Sequence, residues 1–160
     1  MELICIDLEA SGLSTDSYPI EIAWKNALTG EFDSFLINPD SAPDWDFWDE
    51  FAEEMHGLER ETLCLEGYDI FTACERLRLL KGKCVISDAP QFDHFWLSRL
   101  YMAADEEMPF QLVGLEEILD EKQLIAYSVM SKAQYRRHRA LQDVDDILEN
   151  ITLLLDNESV

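Results

Sequence analysis

Asp7 and Glu9 stand one residue apart at the end of an apolar, β-branched run, ICIDLEASGL (residues 4–13), and a small-residue turn follows at once. A strand that continues through them sends both carboxylates out on the same face. Two ionised acids that close repel one another and lose hydration at a buried strand end, so the pair demands compensation. Open solvent would supply it, and so would a cation. Asp93 falls in the first turn of a helix that follows a strand, in SDAPQFDHFWL, and Asp143 near the start of the last helix, in HRALQDVDDIL. A helix N-terminus stabilises an anion, which accounts for either acid taken singly. His138, five residues before Asp143, reads as a surface imidazole in a basic loop or as a base that titrates near neutral pH.

The elements that must position these residues can be read from periodicity. LICIDLEA is apolar on both alternating sets, which marks a central strand covered on two faces. PIEIAWKNA and GEFDSFLINP, joined through LTG, read as a hairpin, so the first three strands are expected to be antiparallel. Trp45, Trp48, Ala52 and Met55 recur at helical spacing and predict a helix over 44–55 that Gly57 ends or bends. YDIFTACERLRLL predicts a second helix, KCVISD a short strand, and PQFDHFWLSRLYMAAD a third helix with Pro90 near its start. FQLVG reads as a further strand, with helices after it from about Leu115 and about Leu141. The expected fold is therefore α/β, a mixed sheet of about five strands flanked by helices, in one domain over 1–160 with 156–160 as a fraying tail. Trp45, Trp48, Phe95 and Trp96 are expected mostly in the core.

Composition bounds the function. The 160 residues carry 34 acids against 12 Lys and Arg, a formal net charge of −22, which disfavours a nonspecific grip on long duplex DNA. The bases are not evenly spread: between Lys122 and Gln142 there is no acid, while Lys122, Lys132, Arg136, Arg137 and Arg139 all fall there. Cys5, Cys64, Cys74 and Cys84 form no CxxC pair and are expected to be reduced and structural. No membrane-spanning run and no basic signal start occur in the sequence, so a soluble, cytoplasmic protein is expected.

DLEASGL, HGL at His56 to Leu58, FD at Phe92 and Asp93, and HRALQD from His138 to Asp143 together resemble the successive motifs of the DEDDh exonucleases. That group, with an RNase H-like fold, includes oligoribonuclease, RNase T and the proofreading subunit of DNA polymerase III. The resemblance spans residues 4–150. His138 at five before Asp143 matches the histidine branch, and HRALQD with DLEASGL looks closest to oligoribonuclease.

The resemblance implies a 3′-to-5′ exonuclease on single-stranded or short nucleic acid, RNA rather than DNA, that releases nucleoside 5′-monophosphates. It implies that Asp7, Glu9, Asp93 and Asp143 hold two divalent cations, Mg²⁺ or Mn²⁺, with Asp7 bridging them and Asp93 acting through water. His138 becomes the general base. Ala10, Ser11, Gly12, Leu13, Met55, His56, Phe92 and Arg139 become substrate-binding residues, and a homodimer is implied as well. Many relatives carry His-Asn-Ala where this chain has Asp88, Ala89 and Pro90, so Asp88 either adds a carboxylate near the metals or caps the next helix. Single-stranded DNA as substrate is the alternative within this chemistry. A different class of function is a non-catalytic interaction module on the same fold, whose acidic, Trp-bearing 44–55 segment docks a basic protein.

Overall fold

Strand β1 (Ile4–Ala10) is flanked on both edges, as its apolar content on both faces demands. The computed structural model describes residues 2–157. Four more strands, β2 (Pro19–Asn26), β3 (Phe32–Leu36), β4 (Cys84–Ile86) and β5 (Gln111–Val113), complete one mixed sheet in the order β3-β2-β1-β4-β5. The first three strands pair antiparallel, as expected from the hairpin pattern. β4 and β5 then run parallel to β1.

Among the described residues six helices flank the sheet: α1 (Glu50–His56), α2 (Arg60–Glu66), α3 (Ile70–Leu77), α4 (Pro90–Ala104), α5 (Glu121–Ala133) and α6 (Ala140–Asp156). Ile4, Ile6 and Leu8 of β1 join Leu77 of α3 and Leu97 and Leu100 of α4 in one buried cluster. Leu3 and Cys5 join Val144, Ile147 and Ile151 of α6 in the other. The period of two along β1 thus assigns its odd residues to the α6 side, and Asp7 and Glu9 follow Cys5 in that series. All four cysteines are free. Among the described residues no helix is long and apolar enough to cross a membrane.

Three helix boundaries differ from expectation. The run over 44–55 is helical only from Glu50. Asp44 has a left-handed backbone (φ 67°), and Trp45, 2% exposed, stacks on Tyr18 at 5.1 Å between ring centroids. Arg60 then ties the segment down by donating to the Trp45 carbonyl (3.0 Å) and the Tyr18 hydroxyl (3.4 Å). The Trp spacing therefore records tertiary burial and not a helix face. The short helix α2 was not expected as a separate element. At Leu115 the chain makes one 3₁₀ turn (Leu115–Glu117), and the helix begins only after Asp120, which forms a capping box with Gln123. At the C-terminus Asp156 ends α6 and Asn157 caps it, while 158–160 lie outside the described residues.

Gly67, between α2 and α3, lets the chain pass against the end of β3. A Cβ there would lie 2.5 Å from the Asn38 nitrogen and 2.6 Å from the Ile37 carbonyl carbon, both backbone atoms that cannot swing away. Beside it, Tyr68 bridges to Ile37. Gly67→Ala should therefore destabilise the fold by about 2 kcal/mol, read as a lowered midpoint of urea unfolding at unchanged slope.

Candidate active site

The parallel strands β1 and β4 open their C-terminal ends at the same edge of the sheet, where open α/β folds build their crevices. β1 delivers Asp7 and Glu9 to that edge, and its register shifts between Glu9 and Ala10, a bulge that re-aims the strand end. β4 leads through Ser87 and Asp88 into α4, whose first turn carries Asp93, and α6 brings Asp143 in its own first turn. Neither helix has a side-chain cap. The four acids line one cavity of about 280 Å³.

Carboxylate oxygens of Asp7, Glu9 and Asp143 lie within 4.8 Å of one another. Asp7 Oδ2 and Asp143 Oδ1 are buried without any hydrogen-bond partner. Asp93 is held differently, its Oδ2 accepting from the Ser87 hydroxyl at 2.5 Å. Burial, reinforced by repulsion from Asp93, Glu9, Asp143 and Asp88, drives the Asp7 carboxyl well above the usual range. Burial and then Asp143 push Glu9 up to about 9, and burial pushes Asp93 up to about 8 despite the Ser87 hydrogen bond. Burial raises Asp143 as well, against the pull of Arg136. Three converging acids, two of them with orphaned, desolvated oxygens, fit a hard divalent cation, and no cysteine lines the cavity to favour a soft one.

His138 lines the same cavity with a left-handed backbone (φ 54°), on the turn that enters α6. His56, at the end of α1, is buried with its edge toward Trp48. Its Nδ1 accepts from the Leu58 amide at 3.0 Å, so the neutral ring carries its proton on Nε2, which has no partner. Leu13 (80% exposed), Met55 and Phe92 stand out as an apolar rim, joined by Phe51, which the sequence did not single out. Ala10 and Gly12 also line the cavity. A Cβ on Gly12 would lie 2.8 Å from Phe47 Cε1 and 2.9 Å from Asp49 Cβ, so this glycine admits the loop before α1 to the rim.

Two expected substrate residues lie elsewhere. Ser11 is fully buried and off the cavity wall; its hydroxyl accepts from the Tyr18 amide (3.2 Å), and its own amide donates to the Tyr18 carbonyl (3.0 Å). It holds the turn. Arg139 grips the buried Glu21 of β2, donating from Nε at 3.0 Å and from Nη2 at 2.7 Å, while the Ala140 amide donates to the same carboxylate at 2.8 Å. Arg139 therefore fixes the start of α6 and is not free for a phosphate. Glu21 went unnoticed in the sequence, where the only signal was a lone acid inside an apolar strand. Asp88 does not cap α4 either: the Ala89 amide donates to Ser87 Oγ, and Asp88 receives Tyr127 and Arg136 instead.

The sheet order, the helices on both faces and the crevice at the β1/β4 edge define an α/β domain of RNase H-like architecture. Solved structures of exonuclease I share this fold. One aligns over 98% of this chain and 41% of its own, with a TM-score of 0.74 and 15% identity. The Escherichia coli enzyme in complex with a dT13 oligonucleotide aligns over 95% and 40%, at 0.71 and 15%. Exonuclease I from Methylocaldum szegediense aligns over 84% and 31%, at 0.60 and 15%. The chain thus spans about two fifths or less of the length of these enzymes. No family model matches it, and no curated protein matches it in sequence.

The raised carboxyls make a testable sign. The folded chain keeps protons that the unfolded chain releases near pH 4, so stability without metal should fall as pH rises from about 4 toward 9. Mn²⁺ competes for the deprotonated oxygens and should raise the unfolding temperature more at pH 8 than at pH 5.5. Asp7→Asn should add on the order of 1 kcal/mol to the metal-free protein at pH 8 and remove the Mn²⁺ shift. Calorimetric melting reads both, and a Mn²⁺ shift undiminished in the variant contradicts the assignment.

Proposed function

We propose that this chain is a metal-dependent 3′-to-5′ exonuclease acting on the ends of single-stranded or short oligonucleotides. The observation that carries the reading is the pair of orphaned oxygens on Asp7 and Asp143, converging with Glu9 in a fold shared with exonuclease I. Two divalent cations held by Asp7, Glu9, Asp93 and Asp143 would supply a nucleophile from water at neutral pH and counter-charge for the leaving 3′ oxygen. The His138 imidazole takes up the proton that the attacking water loses. The bond from phosphorus to the 3′ oxygen breaks, and a nucleoside 5′-monophosphate leaves.

The rim supports a strand end as substrate. Leu13, Phe51, Met55 and Phe92 offer apolar surface against which an unstacked base can lie, and the cavity is of the size that holds one small ligand. His56 adds a donor at Nε2. RNA as the preferred sugar rests on the likeness of HRALQD and DLEASGL to oligoribonuclease. Single-stranded DNA is the second reading, favoured by the dT13 strand in the E. coli exonuclease I complex.

End-labelled five-nucleotide RNA and DNA strands, incubated with Mg²⁺ or Mn²⁺, test both readings. Monophosphates should be released from the 3′ end, faster from RNA than from DNA; strands left intact by both metals over hours would remove the exonuclease assignment. Asp143→Asn should abolish turnover and weaken Mn²⁺ binding. His138→Ala should lower the rate by about 100-fold or more while calorimetry finds Mn²⁺ affinity unchanged.

A further inference from the structure

We infer that Arg136 is a phosphate ligand of this crevice, its guanidinium aimed by Asp88 and Tyr127 at the non-bridging oxygens of the terminal phosphate of the strand. The inference deepens the exonuclease reading and takes its substrate class from it. Within the acid-free window, Arg139 is closed by Glu21, which engages both Nε and Nη2. Arg137 is exposed. Arg136 turns inward, half-buried, and with His138 it is one of two basic side chains on the wall of the cavity apart from the rim histidine His56.

The two arginines are held in contrasting ways. Arg136 donates from Nη2 to Asp88 Oδ2 at 2.9 Å, and among the described residues this is its one hydrogen bond to the protein. A guanidinium has five N–H donors in a rigid fork that matches phosphate oxygens, so most of that capacity is unspent in a residue that lines the cavity. Asp88 is itself fixed, because the Tyr127 hydroxyl donates to the same Oδ2 at 3.0 Å. The other oxygen, Asp88 Oδ1, is buried with no partner, and Asp88 lines the cavity. An ion pair made only for stability would be expected to close as the Arg139 pair does.

Charge points the same way. Although burial opposes its charge, Arg136 stays protonated because it faces Asp88, Asp143 and Asp7. Asp7, Glu9, Asp49, Asp88, Asp93 and Asp143 all line the cavity, and Arg136 is the one guanidinium set among them. An incoming phosphate would meet its N–H donors there and not unrelieved negative charge.

Calorimetric titration with a nucleoside 5′-monophosphate and with the matching nucleoside, both in Mn²⁺, isolates the phosphate contact. Arg136→Gln should weaken the monophosphate by about tenfold or more and leave the nucleoside and Mn²⁺ within about twofold. Strand hydrolysis should slow by about 100-fold, chiefly in kcat, with Arg136→Lys recovering part of it. Equal loss for nucleoside and monophosphate, lost Mn²⁺ binding, or no monophosphate binding by the unaltered protein would each overturn the assignment. Should Arg136→Gln not fold, Arg136→Lys carries the same comparison, with a few-fold loss confined to the monophosphate expected. The binding arm needs no turnover, so a chain that cleaves no strand removes the exonuclease reading while the phosphate contact is judged on its own.

Discussion

Everything at the sheet edge follows from the repulsion among carboxylates that the fold forces together out of water. Asp7, Glu9 and Asp143 arrive from two elements, and Asp7 and Asp143 each keep a buried oxygen without a hydrogen-bond partner. Such an arrangement opposes folding by itself, and the two apolar clusters on either face of β1 must outweigh it. The instability is local, and a cation is the kind of partner that could relieve it.

The few basic residues are deployed accordingly. Arg139 is spent on Glu21, which sits opposite Glu9 in the β1–β2 register and would otherwise add another buried charge beside the cage. That bond also fixes the N-terminus of α6, so the same ion pair sets where Asp143 and His138 stand. Arg76 does comparable work far from the crevice, pairing with Asp33 and lying over Tyr68 at 4.5 Å to fasten α3 to β3. In a chain with so many acids, Arg139 and Arg76 act as fasteners, and the remaining surface stays negative enough to discourage long polyanions from lying along it.

How much of this was legible in the sequence depended on whether the signal was local. β1 could be read because its alternation and its terminal acids occur within seven residues, and the first-turn positions of Asp93 and Asp143 because a strand or loop precedes each helix directly. The segment from Asp44 to Asp49 misled, since Trp45 obeys a stack with Tyr18, which precedes β2 with two strands between them, and no periodicity encodes that. Glu21 with Arg139, and Asp88 with Tyr127 and Arg136, are likewise pairs from distant parts of the chain. Their partners could be found only once the topology was in hand. The basic window was visible as a stretch of charge, but which arginine turns inward was not.

The left-handed backbone at His138 carries a consequence for how this chain can diverge. That conformation costs an L-residue about 1 kcal/mol or more, and histidine, asparagine and aspartate tolerate it better than most. A β-branched replacement would disturb the turn itself and with it the approach of α6, so it would alter geometry and chemistry in one step. Drift at this position is thereby channelled toward asparagine, aspartate or glycine. A descendant that lost the imidazole by that route would keep the acid cage and the turn that presents it intact, a folded scaffold without its base.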